Sequence, residues 1–295
     1  MSCQNCAARG LHRVLLRRRR RYAIIFRLAF RDAMARDAMS QEQRRPSISA
    51  FFPAYNDGGT IGSLVVTTIR TLEELTDDYE VIVVENGSTD YTVDVLEELA
   101  QRFERFRYYS YREPLGYGGA LRIGFAACTK DLIFYTDGDA QYDPRELKLL
   151  LPALDENVDI VNGWKIDRSD PLHRKIIGRV YHHTVKFLFG FKLRDVDCDF
   201  RLIRRHVFDT INLESDSGTI CLELVKKLQD AGYRFAEVPV HHYHRTYGQS
   251  QFFNFPRLWR TGIQLIGLWW KLVIRRDHMR RIKVRRKRQE LPVER

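Results

Sequence analysis

Residues 132–144 read LIFYTDGDAQYDP. Leu132 to Tyr135 are an apolar run of strand length, the pattern of a buried strand. Two carboxylates, Asp137 and Asp139, follow at its exit with a glycine between them. Alternate side chains of an extended segment face the same way, so the two like charges would point at one spot and repel. A divalent cation relieves that repulsion, because Mg²⁺ and Mn²⁺ prefer carboxylate oxygens and keep substrate phosphates as further ligands. An ordinary polar turn cornered at Asp137-Gly138 accommodates the same residues. The flanking sequence has to decide between the two readings.

Working outward, strand and helix signals alternate from Ser47. SISAFFP reads as a strand stopped by Pro53, and TIGSLVVTTIRTLEEL as a helix with Thr60 as its cap. YEVIVVEN is a buried strand, STDYTVDVLEELAQRF a helix starting at Ser88 or Asp90, and FRYYSY another strand. GGALRIGFAAC is a short helix, PRELKLLLPAL a helix with Pro144 in its first turn, and VDIVNGW a further strand. Later come HRKIIGRVYHHTVKFLFG and TICLELVKKLQDAG as helices, YRFAEVPVHHYH as a strand, and FPRLWRTGIQLIGLWWKLVIRR as the last strong helix. Apolar strands alternating with helices predict an α/β fold whose mostly parallel sheet is covered on both faces. Ligands of such sheets bind beyond the carboxyl ends of the strands. The residues there are Tyr55-Asn56-Asp57, Glu85-Asn86-Gly87-Ser88, Arg112-Glu113, Asp137-Gly138-Asp139 and Asn162-Gly163. Most carry acidic or amide groups suited to ribose, base or metal, which favours the metal reading of Asp137 and Asp139.

Charge is unevenly spread along the 295 residues. Residues 1–45 hold 12 Lys and Arg against 3 Asp and Glu, and residues 257–295 hold 13 against 3. With a net +11 overall, the stretch between them stands at −8. Basic ends suit an anionic membrane surface or nucleic acid. An acidic centre argues against a nucleic-acid reader, whose folded domain is usually basic, so no nucleic-acid partner is expected. The 44% hydrophobic content supports a sizeable core. Cys3 and Cys6 form a lone C-x-x-C, and Cys128, Cys198 and Cys221 are isolated. Five reduced thiols and no evident secretory signal place the chain in the cytoplasm. No stretch reaches the ~20 apolar residues of a membrane span. The chain divides into a basic N-terminal extension (1–46), a catalytic α/β domain (47–255) and a basic amphipathic helix and tail (256–295). Residues 1–38 precede the first strand signal, and a chain starting at Met39 is expected to keep fold and turnover.

FFPAYND, VIVVENGSTD, LGYGGALRIGF and TDGDAQYDP stand in an order and spacing that resemble family 2 glycosyltransferases. DVDCDFRLIRR and EVPVHHYHRTYGQSQF resemble the branch containing dolichol-phosphate mannosyltransferases and bacterial polyprenyl-phosphate glycosyltransferases. The resemblance spans about residues 47 to 255 and implies a GT-A fold that binds a nucleotide sugar. It implies that Asp137 and Asp139 hold Mg²⁺ or Mn²⁺ on the sugar-nucleotide diphosphate, with Gln141 as a third polar ligand. Pro53, Tyr55, Asn56, Glu85, Asn86 and Gly138 would line the site near base and ribose. Arg201 and Arg245 would approach phosphate, with Gln249 and Ser250 closing a loop over the donor. GYGGA lacks the third glycine of a dinucleotide fingerprint. Gly116 reads instead as a helix entry where backbone approaches the donor. Glu85-Asn86 stands where the family commonly carries aspartate, which leaves GDP-sugar and UDP-sugar both open. Pro114 stands where asparagine is usual.

A lipid monophosphate acceptor needs no base, since its second pKa lies near ~6, but it needs cations. Lys165, Arg174, Lys175 and Arg179 are the candidates, and Lys175 and Arg179 share a helix face. For a hydroxyl acceptor, Asp197 or Asp199 is the candidate base. The expected reaction is therefore inverting, metal-dependent transfer of mannose or glucose from a nucleotide sugar to a polyprenyl or dolichyl phosphate. A saccharide or lipid hydroxyl acceptor, or a sugar-nucleotide- or nucleic-acid-binding protein without catalysis that uses its basic ends, are the rivals. Aromatic and aliphatic bulk among cations between Phe252 and Arg276 is the composition of an interfacial helix. It predicts peripheral attachment to the cytoplasmic face of a membrane. The histidines show no metal-ligand spacing and read as structural.

Overall fold

The computed structural model describes residues 45–166, 172–247 and 255–290. The N-terminal extension and Ser250 lie outside them, as do the side chains of Arg174 and Lys175, so the expectations placed there have no structural counterpart. Seven strands form one sheet in the order β3-β2-β1-β4-β6-β5-β7. β1 (Ile48–Ala54) is buried throughout, and is followed by helix α1 (Ile61–Leu75) and the equally buried β2 (Tyr79–Asn86). Then come α2 (Thr92–Arg102), β3 (Phe106–Tyr111), α3 (Gly116–Ala127) and β4 (Leu132–Thr136). Val, Ile and Phe dominate β1, β2 and β4 because helices cover both faces of the sheet there. β1 pairs in parallel with β2 and with β4. The chain winds one way from β1 to β3 and returns past β1 to β4, so the switch point falls between β1 and β4.

Two expectations about this half need correction. Pro53 does not stop β1, which runs on to Ala54. Pairing to β4 has ended at Phe51, before the residue that lacks an N–H. Pro144 does start a helical stretch, but the stretch is broken into turns at Pro144–Glu146, Leu147–Leu150 and Leu151–Ala153. The second proline, Pro152, interrupts it.

The second half departs from regular winding. β5 (Ile160–Ile166) is followed by α4 (Leu172–Phe189), and then β6 (Phe200–Arg204) inserts between β4 and β5, antiparallel to both. Its sequence, FRLIR, carries arginines at its second and last positions, which hide it from a periodicity reading. α5 (Ile220–Asp230) precedes β7 (Phe235–His241), which is parallel to β5. The anticipated last helix, FPRLWRTGIQLIGLWWKLVIRR, is two elements, α6 (Phe255–Trp269) and a π-helical turn (Trp270–Arg275); Arg276 then adopts φ 53° and α7 (Asp277–Glu290) follows. Leu268 and Leu272 pack with Val185 and Phe189 of α4 and with Leu222 and Val225 of α5. Among the described residues no helix is long and apolar enough to cross a membrane.

Candidate active site

The exits of β1 and β4 converge at the switch point, where open α/β sheets bind ligands. Gly138 sits close under β1: its N–H donates to the Pro53 carbonyl at 3.2 Å, and a Cβ there would lie 2.6 Å from that oxygen. The Thr60 hydroxyl, expected to cap α1, instead donates to the carbonyls of Asp57 (3.1 Å) and Gly138 (3.2 Å). These bonds tie the Asp137–Asp139 turn to the Tyr55–Asp57 loop. Ala140 completes the turn with φ 54°, and the Gln141 N–H donates to Asp139 Oδ1 at 3.1 Å.

Asp57, Asp137, Asp139 and Asp199 face one another across this turn. Asp199 immediately precedes β6, and Thr136 of β4 pairs with Phe200. The antiparallel insertion therefore brings a later acidic segment to the same sheet edge. A chain of hydroxyls joins the carboxylates. The Tyr117 hydroxyl donates to Asp137 Oδ1 at 2.6 Å and lies 3.2 Å from the Tyr135 hydroxyl, which donates to Asp199. The Cys221 thiol donates to the same Asp199 oxygen at 3.1 Å. Burial, then Asp199 and Asp139, push the Asp137 carboxyl well above the usual carboxylate range. Burial raises Asp139 too, against the opposing pull of Arg245. Asp57 is pushed up to about 6, chiefly by burial and despite the Tyr55 N–H it accepts. Crowded carboxylates with raised affinity for protons form a donor set that a divalent cation fits. Asp137 and Asp139 are the residues that would hold it.

Arg245 reaches this cluster and donates to Asp139 Oδ2. Gln141 holds the segment that carries it: its side-chain amide donates to the Tyr243 carbonyl at 2.9 Å, and its own carbonyl accepts from the Tyr243 N–H at 2.8 Å. Gln141 thus acts as a strap here through its amide N–H and its backbone. The expected place of Arg201 near phosphate is corrected. It is 1% exposed, donates to Asn162 Oδ1 (2.7 Å) and the Val196 carbonyl (2.6 Å), and lies 3.8 Å from Asp199. From that depth it supports Asp199 and cannot meet a phosphate.

Tyr55 is half-exposed at the rim. Asn56, at φ 56°, shapes the loop by accepting the Thr89 N–H at 2.7 Å. Glu85 is buried and accepts from the Ser88 N–H (2.5 Å) and the Ser110 hydroxyl (2.7 Å), and Asn86 accepts the Leu115 N–H at 2.7 Å. Both side chains order loops at the β2 exit. Gly116 is not open to a ligand. A Cβ there would stand 2.3 Å from the Asp216 carbonyl, and one at Gly118 2.2 Å from that of Ser215. These glycines admit the 215–216 backbone. Lys165 points inward, its ammonium donating to the Asp197 carbonyl at 2.7 Å and standing 3.9 Å from Asp195. Arg179 is exposed on α4. His182, Asp195 and Asp197 gather beside Lys165, and burial pushes Asp197 up to about 6.

Tyr117, Tyr135 and Cys221 are parts of the site that residue reading missed. One signal was available: Tyr135 stands two residues before Asp137 and so shares its side of an extended chain.

A cluster of carboxylates at the switch point of a mostly parallel sheet defines an α/β fold of the GT-A class. The chain belongs to glycosyl transferase family 2, whose sequence pattern matches residues 49–211. It is similar to glycosyltransferase AglD of Haloferax volcanii, 31% identical over 259 residues that make up 82% of this chain and 41% of AglD. The chain thus spans under half the length of that relative. Among solved structures it resembles glucosyl-3-phosphoglycerate synthase of Mycobacterium tuberculosis with Mn²⁺, uridine diphosphate and phosphoglyceric acid. That match has a TM-score of 0.59 and 20% identity, covering 77% of this chain and 78% of the synthase. A second mycobacterial protein matches with a TM-score of 0.53 and 22% identity over 69% of this chain and 68% of its own.

Proposed function

We propose that the protein transfers a hexose, mannose or glucose, from a GDP- or UDP-sugar to a polyprenyl or dolichyl phosphate with inversion at the anomeric carbon. The observation that carries the donor half is the Asp57, Asp137, Asp139 and Asp199 cluster with Arg245 at its edge. A bound Mg²⁺ or Mn²⁺ supplies Lewis-acid neutralisation of the diphosphate leaving group. Tyr117 orients Asp137, and the Thr60–Gly138 and Gln141–Tyr243 bonds hold Asp139 and Arg245 in register. Arg245 is the guanidinium placed to pair with a phosphate in two-pronged fashion. The acceptor half rests on basic α4, which carries Arg174, Lys175 and Arg179, with Lys175 and Arg179 four residues apart on one helix face. A lipid phosphate arrives as its own nucleophile.

One observation favours a second reading. Asp197, with its pKa near about 6, is matched to general-base work on a hydroxyl acceptor. Incubation of the full chain with radiolabelled UDP- and GDP-hexoses, Mn²⁺ and polyprenyl phosphate separates the two. An acid-labile lipid-phosphate sugar supports the first reading, and an acid-stable glycoside supports the second. Transfer that survives EDTA or Asp139→Asn would overturn the metal role in both.

A further inference from the structure

α6 and the π-helical turn are apolar on two sides, and among the described residues only one of them is packed against the protein. Leu265, Leu268, Leu272 and Val273 pack into the layer formed with α4 and α5. Trp259, Ile263, Ile266, Trp270 and Ile274 point away from it, at 69%, 57%, 68%, 54% and 48% exposure. At about 100° per residue, the first four fall within a sector of roughly 60°. They form a continuous stripe some ~16 Å long from one tryptophan to the other. α4 adds Val180 and Phe187, two turns apart and also exposed. It is pinned beside α6 by the Trp269 indole N–H, which donates to the Leu188 carbonyl at 2.9 Å. Isolated apolar residues on a surface are ordinary, but an aligned stripe of this size marks an interaction face.

We propose that this stripe is the surface by which the protein docks onto a bilayer containing anionic lipid, with Trp259 and Trp270 at the level of the headgroups. Three observations select that occupant. Exposed cations border and follow the stripe: Arg260, Arg276, Arg280 and Lys283, with Arg275 paired to Asp277 at 3.2 Å. Indoles at both ends with branched aliphatics between them suit the boundary between headgroup and acyl chain. A second copy of the chain would meet this face about a two-fold axis and bring each basic border against its own like charge. An anionic surface meets those cations favourably.

The face is also coupled to the reaction centre. Val196, between Asp195 and Asp197, and Leu222, next to Cys221, belong to the same buried layer as Leu268 and Leu272. A bilayer bound at the stripe is therefore one packed layer from the loop carrying Asp197 and Asp199. The inference extends the proposed lipid acceptor by naming the surface that meets its membrane. It is tested without donor or acceptor, so the two fail independently.

The experiment is sedimentation of the full chain with phosphatidylcholine vesicles and with vesicles containing phosphatidylglycerol, at low and high salt. Binding to the anionic vesicles that weakens with salt is expected, with tryptophan quenching by brominated acyl chains. Ile263→Glu/Ile266→Glu should weaken it by about tenfold or more, since two charges enter the inserted face. Both positions are exposed, so the melting temperature should hold, and circular dichroism checks it. If the full chain stays in the supernatant at low salt, or if the double variant binds as tightly as the parent, the proposal fails. Vesicle-independent self-association abolished by the same variant would reassign the face to a second copy.

Discussion

At the residue level, Asp137 carries the most one-sided environment in the site. Burial, Asp199 and Asp139 all oppose its charge, and the Tyr117 hydroxyl is a close donor to it. Asn at this position keeps the shape and the hydrogen bond while removing the disfavoured charge. Asp137→Asn should therefore leave the metal-free melting temperature equal or higher, while transfer falls by about a thousandfold and Mn²⁺ no longer raises the melting temperature. Thermal shift with and without Mn²⁺, beside a turnover assay, reads both halves. A variant that melts lower without metal would show that the carboxylate is held by contacts stronger than the repulsion described. Tyr117→Phe separates orientation from charge. It leaves every carboxylate in place, so a weakened apparent Mn²⁺ affinity with folding intact identifies Tyr117 as a positioning residue. An unchanged affinity removes that role.

At the level of elements, the C-terminal helices show how one sequence face is divided. Dense apolar and aromatic residues throughout α6 suit either membrane contact or packing on the protein's own sheet. The structure uses different sides for different surroundings. Leu272 is fully buried against α4 and α5, whereas Ile266 is open to solvent. Leu272→Ala should cost about 2–5 kcal/mol and Ile266→Ala less than about 0.5 kcal/mol in denaturant unfolding of the soluble protein. Equal costs would mean that α6 is not docked as described. α3 tells a similar story. Its glycines looked like a ligand-binding entry, yet Gly118 is required because the Ser215 carbonyl would sit 2.2 Å from a Cβ. The contacting atom is backbone, so it cannot rotate aside. Gly118→Ala should lower stability by about 1–3 kcal/mol through overpacking.

For the whole molecule, the carboxylate cluster links stability to pH and to metal. The Asp57 pKa rises from 3.8 to about 6 on folding. A carboxyl raised by folding contributes stability that is fully present below its unfolded pKa and lost as pH rises through the folded value. In EDTA, the wild type should therefore weaken relative to Asp57→Asn between about pH 4 and pH 7, by up to about 3 kcal/mol before solvent relaxation. Added Mn²⁺ should recover the difference at pH 7 and do little at pH 4, where protons occupy the carboxylates. Melting temperatures of the two proteins across that range test it. A difference that shrinks with rising pH would reverse the assigned sign.

Local pattern alone was enough for much of this. Apolar runs of strand length, interleaved with helical spacing, determine a covered mostly parallel sheet because each element must bury its apolar face. Asp137 and Asp139 were legible because strand exits of such sheets carry the ligands. Tertiary pairing decided the rest. β6 runs antiparallel between β4 and β5, and only that reversal brings Asp199 beside Asp137 across 62 positions of chain. It also buries Arg201, for which the family resemblance implies a place near phosphate. Glu85 and Asn86 have the chemistry of ligands but are spent on loop N–H groups and a hydroxyl that only neighbouring segments supply. Residue type states what a side chain can bond. Which of those bonds the fold has already taken is set by contacts between distant segments, and sequence spacing does not encode them.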